Sequence, residues 1–142
     1  MEPIKKLIKQ AATQIDRERD QFAKSLGITG VQMSTLDFIS NQEDQIASQH
    51  SIEEEFDLRR STVTIMIQRM EKHDLVRRIP NKNDKRQKLV TLTPKSKQIL
   101  PKIKQYMIND DQKMRRYFSE DEFAIVKKVL NYVKSGDKYG TK

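Results

Sequence analysis

Apolar residues recur every three to four positions over most of this chain, which is the spacing of amphipathic helices. The first such stretch covers residues 4–26, with Pro3 suited to its first helical position and Gly27 to its end. Thr29 is the expected cap of a second helix, which ends before a polar connection at residues 41–45. The apolar face of this second helix is predicted to hold Val31, Met33, Leu36 and Ile39, with Phe38 close by.

Two shorter helices are predicted next, with a tight turn at residues 57–58 between them. Ser48 is the expected N-cap of the first of these helices. The second covers residues 61–73 and ends near Asp74, a residue type that tolerates the left-handed conformation at a helix end. Its apolar stripe is Val63, Met66, Ile67 and Met70, at helical spacing.

The hydrophobic period then changes to alternation at residues 75–79 and again at residues 88–93, which predicts two strands. Residues 80–85 between them are rich in turn formers, so the two strands are expected to form a hairpin. Thr93 and Pro94 then mark the start of a long helix.

Two helices are predicted to complete the chain. The long helix carries apolar residues at Ile99, Ile103, Tyr106, Met107, Met114 and Phe118. Pro101 within it should kink it. Ser119 and Glu122 form a capping box for a final helix, and residues 135–142 are an expected flexible tail. The apolar residues predicted to be buried by the final helix are Phe123, Val126, Leu130 and Val133.

The positive charge of the chain is concentrated in one segment. The 142 residues carry a formal net charge of +8, and residues 59–88 alone hold ten bases and three acids. A net charge of +7 on one short segment creates a directional field that favours a polyanion, and nucleic acid is the most abundant one. Basic helix faces are usually only solvated, but here the bases concentrate on two adjacent elements. We therefore interpret the segment as a nucleic-acid-binding one.

Two short helices, a tight turn and a basic hairpin together predict a winged helix-turn-helix, so the fold class is mainly α with a small β-hairpin wing. In such a unit the second helix buries one face and offers hydrogen-bonding side chains on the other. Gln suits adenine, Arg suits guanine, and an exposed Ile65 suits a thymine methyl group. The predicted DNA-binding residues are Ser48, Gln49, Arg59, Arg60, Ser61, Thr62, Thr64, Ile65, Gln68 and Arg69 in the helices, and Lys82, Lys85, Arg86 and Lys88 in the hairpin.

Five short motifs carry a resemblance to a known family. They are Gly-Ile-Thr-Gly-Val-Gln at residues 27–32, Ser-Thr-Val-Thr at 61–64, Met-Glu-Lys-His-Asp-Leu-Val at 70–76, Asp-Lys-Arg at 84–86 and Lys-Leu-Val-Thr-Leu-Thr at 88–93. In this order and at these spacings they resemble the MarR/SlyA (multiple antibiotic resistance regulator) family of bacterial transcription factors. The chain departs from the family pattern at four positions. Ile65 stands where arginine is common, Asp57 and Asp74 where glycine is common, and Glu53 where a small residue is common.

The resemblance implies a site and an assembly. Asp84 would pair with a neighbouring arginine and support the wing, while Arg86 reaches DNA in the minor groove. Residues 1–142 would form a single domain in which 28–93 bind DNA, and in which 3–26 and 94–134 join two copies into a homodimer. The predicted dimerisation residues are Ile4, Leu7, Ile8, Ile15, Tyr117, Phe118, Phe123, Val126, Leu130 and Val133. Two DNA-binding lobes would require a pseudo-palindromic double-stranded site. A small anionic or phenolic effector in a cleft beside the lobe would relieve binding, and repression is the simplest action.

The composition of the chain excludes several other kinds of site and argues against other classes of function. The chain lacks cysteine, which excludes disulfides, thiolate zinc sites and cysteine oxidation, and His50 and His73 alone are weak support for a metal site. We expect no cofactor, no enzymatic activity and no membrane contact, because catalytic motifs, a long apolar run and a signal peptide are missing; the expected location is cytoplasmic. Only 35% of the residues are hydrophobic, which leaves a thin core that a second copy would complete. A winged helix that binds RNA or protein is the alternative. Ile65 is the single apolar residue on the outer helix face, and the basic segment has no aromatic residue for stacking on RNA.

Overall fold

A computed structural model describes residues 1–136, and the chain divides into two compact units, residues 1–103 and the residues from 104 onward. The first unit contains α1 (Ile4–Lys24), α2 (Gly30–Ser40), β1 (Ile46–Ser48), α3 (Gln49–Phe56), α4 (Arg60–Lys72), β2 (Val76–Ile79), β3 (Leu89–Leu92) and the beginning of α5 (Pro94–Arg115). The second contains the remainder of α5 and α6 (Glu120–Ser135). Within the described residues, no helix is long and apolar enough to cross a membrane.

The sheet has three antiparallel strands in the order β1-β3-β2, so the predicted hairpin of β2 and β3 is confirmed. Strand β1 was not predicted; it pairs with the other side of β3, with Ala47 opposite Val90. A short 3-10 turn (Glu43–Gln45) lies within the predicted polar connection and leads into β1. The Thr91 hydroxyl donates to the Gln45 carbonyl over 2.7 Å, which fastens this turn to β3.

The core of the first unit lies between α2, α3, α4 and the sheet. The predicted stripe of α4 is confirmed, because Val63, Met66, Ile67 and Met70 are all buried. On α2, the predicted Met33, Leu36 and Ile39 are fully buried, but the prediction for Val31 is wrong. Val31 is 46% exposed because it lies in the first turn at the edge of the buried face, about 140° around the helix from Leu36. Thr35 is buried instead, and its hydroxyl donates to the Val31 carbonyl over 2.7 Å.

Side-chain caps fix where several helices begin, as predicted. Thr29 forms a complete capping box with Gln32, and Ser119 forms one with Glu122. The Ser48 hydroxyl accepts the backbone N–H of Ser51 over 3.0 Å at the start of α3. Each cap satisfies N–H groups that a helix leaves unpaired at its first turn.

Positive φ angles end three of the helical segments. Gly27 (φ 76°) follows α1, and Asp57 (φ 50°) separates α3 from α4. Asp74 (φ 59°) follows α4, so the predicted left-handed end of that helix is confirmed. Aspartate is among the few non-glycine residues that adopt this conformation readily.

Three predicted helix boundaries need correction. Pro3 is the extended residue before α1 (φ −60°, ψ 134°) and not its first helical residue. Helix α4 begins at Arg60, one residue before the predicted start. Helix α5 continues through Pro101 and ends at Arg115, before the apolar residue at 118 that had been included in it. The kink at Pro101 stays a prediction.

The second unit exposes the residues that were predicted to be buried by the final helix. Val126 is 49% and Leu130 38% exposed, and Phe123 and Val133 are half-buried, so this face is not covered within the described chain and its burial by a second copy stays a prediction. The reason is that a single amphipathic helix has too little apolar surface beside it to cover its own face. A flexible tail was predicted at residues 135–142. Ser135 is instead the last residue of α6, and residues 137–142 lie outside the described residues.

A small polar and aromatic cluster holds the start of α6. Arg115 Nε donates to Asp111 Oδ2 over 2.7 Å, and this hydrogen bond raises the pKa of Arg115 above its ordinary value. The Arg115 guanidinium also lies 5.1 Å from the centre of the Phe123 ring. The rings of Phe118 and Phe123 meet edge to face at 6.1 Å. This cluster fixes the turn between α5 and α6.

Candidate nucleic-acid interface

Helix α4 presents one polar face to solvent. This face carries the predicted Ser61, Thr62, Ile65, Gln68 and Arg69, all of them exposed, and the buried stripe occupies the opposite side. The contrast is sharp between two isoleucines of the same helix, because Ile65 is 50% exposed and Ile67 is 1% exposed. The packing of the stripe against the core therefore fixes which side chains of α4 point outward.

Bases from the start of α4 and from the wing meet around one concavity. Arg60 contributes from α4, and Arg86 and Lys88 from the wing. The concavity has a volume of about 300 Å³, and α3 supplies its remaining wall through residues that include Gln49 and His50. Arg59, just before α4, is exposed as well. Cationic side chains that are separated by more than twenty residues in sequence thus share one surface.

Gln49 was predicted to bind DNA, but it lies at the back of this surface and its side chain is engaged in an internal hydrogen bond. It is only 6% exposed, and its Nε2 donates to Thr64 Oγ1 over 2.7 Å. Its backbone N–H donates to the Lys88 carbonyl over 2.8 Å. Gln49 therefore links α3 to α4 and to the wing, while the neighbouring Ser48 is engaged in capping α3. Nothing in the sequence marks this glutamine as internal, because its partners depend on how α3 packs.

Asp84 organises the tip of the wing. Its Oδ1 accepts the backbone N–H of Arg86 over 3.0 Å and Arg86 Nε over 3.3 Å. The Arg86 side chain is otherwise 93% exposed, and Lys82, Lys85 and Lys88 are exposed beside it. The arginine beside Asp84 is Arg86 itself, the residue that the resemblance assigns to the minor groove, and that DNA contact stays a prediction.

Asn81 also holds the wing tip, and the sequence prediction missed it. Asn81 Oδ1 accepts the backbone N–H groups of Asn83 over 3.1 Å and of Asp84 over 3.3 Å. Its Nδ2 donates to Gln87 Oε1 over 3.3 Å. An asparagine that begins a turn and accepts from the next residues is a recognisable sequence signal. Asn81 and Asp84 together order the loop between β2 and β3.

One base of the basic segment, Arg78, forms an ion pair with an acid. Arg78 on β2 pairs with Glu71 on α4, with 3.3 Å between Nε and Oε1. These two charges cancel locally, and the half-exposed pair contributes little to stability. Arg78 therefore adds little to the outward positive charge of the basic segment.

The end of α4 is fastened to the beginning of α5. The buried Thr93 hydroxyl donates to the Asp74 carbonyl over 2.6 Å, and Lys95 Nζ donates to the His73 carbonyl over 2.9 Å. Beside this junction lies a cavity of about 510 Å³. Its lining comes from the α1–α2 turn and from the two ends of the junction, and includes Gly27, Thr29, His73, Lys95 and Ile99. The hydrogen bond from Lys95 to the end of α4 therefore lies in the lining of this cavity.

The predicted dimerisation residues are mostly exposed. In α1, Ile4, Leu7 and Ile15 are 58%, 40% and 46% exposed, and Ile8 is half-buried. Beyond α5, Tyr117 is 73% and Phe118 50% exposed. Other exposed apolar residues of the second unit are Ile108, Met114, Ile125, Val129 and Tyr132. Both units therefore carry exposed apolar side chains, and their coverage by a second copy stays a prediction.

Known proteins share both sequence and architecture with this chain. A family model described as MarR family matches residues 26–87. The transcription regulator MarR from Oenococcus oeni PSU-1 is 31% identical, with 94% of this chain and 100% of that chain covered and a TM-score of 0.83. A mutant MarR from E. coli, solved in complex with operator DNA, is 26% identical, with 92% and 93% covered and a TM-score of 0.77.

Further comparisons bear on the fold. The S. aureus MepR–DNA complex is 20% identical, with 95% of this chain and 98% of that chain covered and a TM-score of 0.85. A comparison with curated protein sequences gives no match. The predicted mainly α winged-helix class is confirmed by these structures. The 31% identity over the full length of the Oenococcus oeni regulator shows that the chain belongs to the MarR family of transcriptional regulators.

Proposed function

We propose that this regulator binds double-stranded DNA as a homodimer at a pseudo-palindromic site and represses transcription there. The observation that carries the proposal is the common surface formed by the outer face of α4 and the bases around the 300 Å³ concavity. The related E. coli protein in complex with operator DNA supports the same partner. Residues 28–93 act as the DNA-binding lobe, and residues 3–26 and 94–134 act in dimerisation within one functional domain.

Each class of side chain on this surface has a distinct role. Phosphates are contacted by the bases at the start of α4 and along the wing, because charge neutralisation supplies most of the affinity. The outer face of α4 enters the major groove, where Gln68 and Arg69 suit adenine and guanine edges. Arg86 at the wing tip enters the adjacent minor groove. Gln49 and Asp84 act by holding Thr64 and Arg86 in place.

The exposed apolar residues near both ends of the chain support homodimer formation. A second copy would cover them and would place a second α4 about one turn of DNA away. Inverted half-sites are the DNA counterpart of that two-fold symmetry. Repression then requires only that the bound dimer occludes a promoter.

The proposed effector site is the cavity beside the junction of α4 and α5. The cavity of about 510 Å³ has room for a small molecule, and Lys95 and His73 in its lining suit an anionic or phenolic ligand. A ligand that takes the Lys95 ammonium away from the His73 carbonyl would release the end of α4. Binding there would shift the population away from the DNA-competent arrangement.

Replacing Arg86 with alanine tests the wing. The Arg86→Ala variant should bind duplex DNA more weakly, and its plot of log affinity against log salt concentration should be flatter by about 0.9 per protomer, because one cation that neutralises DNA charge is lost. Fluorescence anisotropy of a labelled duplex at several salt concentrations measures both quantities. Arg17→Ala removes the same charge from the exposed surface of α1 and should leave the slope unchanged. Equal slopes for wild type and Arg86→Ala would remove Arg86 from the interface.

Replacing Asp84 with alanine separates positioning from simple charge. Removing an acid from a basic surface should tighten DNA binding if charge alone matters. Because Asp84 holds the Arg86 backbone and side chain, we expect the Asp84→Ala variant to bind about two- to tenfold more weakly. Asp84→Asn removes the charge but keeps a hydrogen-bond acceptor, so it should bind better than Asp84→Ala in the same anisotropy assay. Tighter binding by both variants would contradict the positioning role.

A further inference from the structure

We infer that Ile65 reads thymine through its C5-methyl group, so that the site of this protein carries a thymine specified by a methyl contact. The inference rests on the proposed function and adds the chemistry of one base position. It begins from the exposure of Ile65, which is 50%, although Met66 and Ile67 beside it are buried. The core therefore does not need Ile65, and the fold leaves its side chain on the face proposed to enter the major groove.

Ile65 is isolated among polar neighbours. Ser61, Gln68 and Arg69 share the outer face of α4 with it. Across residues 32–107, all of which the structure describes, Ile65 is the one large apolar side chain that is exposed. Protein-docking surfaces need contiguous apolar patches of several hundred Å². One isoleucine within a basic face matches a single methyl group instead.

Thr64 next to it cannot donate a hydrogen bond to a base from its observed position. Its hydroxyl hydrogen goes to the Arg60 carbonyl over 2.9 Å, and one lone pair of Oγ1 accepts Gln49 Nε2 over 2.7 Å. A hydroxyl has only one hydrogen to give. The same link fastens the middle of α4 to α3, so the neighbouring Ile65 is held in a defined position.

The major groove offers one apolar group to such a side chain. Guanine, adenine and cytosine present hydrogen-bond donors and acceptors along this edge, whereas thymine adds its C5-methyl group. Contact with Ile65 removes both apolar surfaces from water. Uracil differs from thymine by this methyl group alone, so replacing thymine by uracil isolates the contact.

The test uses the full-length protein and a duplex recovered by repeated selection from a random-sequence library. Each thymine of that duplex is replaced singly by uracil, and affinities are measured by anisotropy. For wild type we expect one position in each half-site at which uracil weakens binding about fourfold, or about 15-fold when both half-sites are changed. Ile65→Ala should bind the thymine and uracil duplexes equally at that position. Val31→Ala, which shortens a similarly exposed side chain on α2, should keep the wild-type discrimination.

Two further measurements separate the ways in which the inference can fail. Ile65→Val retains a branched side chain and should keep part of the discrimination, while the melting temperature of each variant shows whether it folds. If selection recovers no duplex, the proposed DNA binding itself is wrong. The other failure is a recovered duplex in which no change of thymine to uracil weakens binding by wild type while leaving binding by Ile65→Ala unchanged. In that case DNA binding stands and the methyl contact is wrong.

Discussion

Replacing Leu130 with glutamate is expected to convert the protein to a monomer and to weaken binding to its duplex site by about a hundredfold or more. Leu130 is 38% exposed on α6, on the face that also carries Val126 and Val133. Covering that face with a second copy would bury the new carboxylate without a partner, which is strongly unfavourable. A monomer would engage one half-site at a time and would lose the affinity that comes from linking two lobes.

Asn131→Glu provides a matched control for this prediction. It adds the same charge one residue further along α6, on the polar side of the helix. Light scattering at micromolar concentration should give twice the chain mass of 16.7 kDa for wild type and for Asn131→Glu, and 16.7 kDa for Leu130→Glu. A Leu130→Glu dimer with full DNA affinity would place the dimer interface elsewhere.

Shortening Ile67 should produce a large loss of stability. Ile67 is 1% exposed within the stripe that packs α4 onto the core. Ile67→Ala removes buried methylene and methyl groups and leaves a cavity, so the free energy of unfolding should fall by about 2–5 kcal/mol. Ile65→Ala makes the same chemical change two residues away on the exposed face and should change it by less than about 0.5 kcal/mol.

Urea unfolding followed by circular dichroism measures this difference. The Ile67→Ala midpoint should move to lower urea concentration with an unchanged slope, since the surface exposed on unfolding stays nearly the same. The Ile65→Ala curve should overlay that of wild type. Similar losses in both variants would mean that α4 packs with a different face toward the core.

Hydrophobic period and capping chemistry predicted most of the fold because both are local. The stripe from Val63 to Met70 identified the buried side of α4, and Thr29 and Ser119 located two helix starts through their capping boxes. The left-handed end at Asp74 was likewise readable from residue type and position. These features depend on neighbours within four residues, which a sequence displays directly.

Features that depend on tertiary partners were not predicted. Strand β1 has three residues, too few to show alternation, and it exists because β3 has a second edge to pair with. The internal position of Gln49 depends on Thr64 and the Lys88 carbonyl, which lie far away in sequence. The apolar stripe of Val126 and Leu130 looks like a core stripe in the sequence, and only the family resemblance assigned it to a dimer interface.

The candidate surface likewise combines features that the sequence predicts with features that depend on the folded structure. Counting bases located it in residues 59–88, but the count included Arg78, whose charge is paired with Glu71. The family resemblance singled out Asp84, whose side chain accepts two hydrogen bonds, whereas Asn81, whose side chain makes three at the wing tip, was passed over. Charge density therefore located the surface. The contacts of the folded wing determine which of its charges are paired and which side chains hold its tip.

Genomic footprinting of the purified protein tests the central claim most directly. We predict protected duplex sites that contain two inverted half-sites about 10 base pairs apart, centre to centre, each site being bound by two chains. Sites that lack this symmetry would contradict the proposed homodimer. The absence of protected duplex sites, together with binding to RNA or to a protein, would contradict the account as a whole.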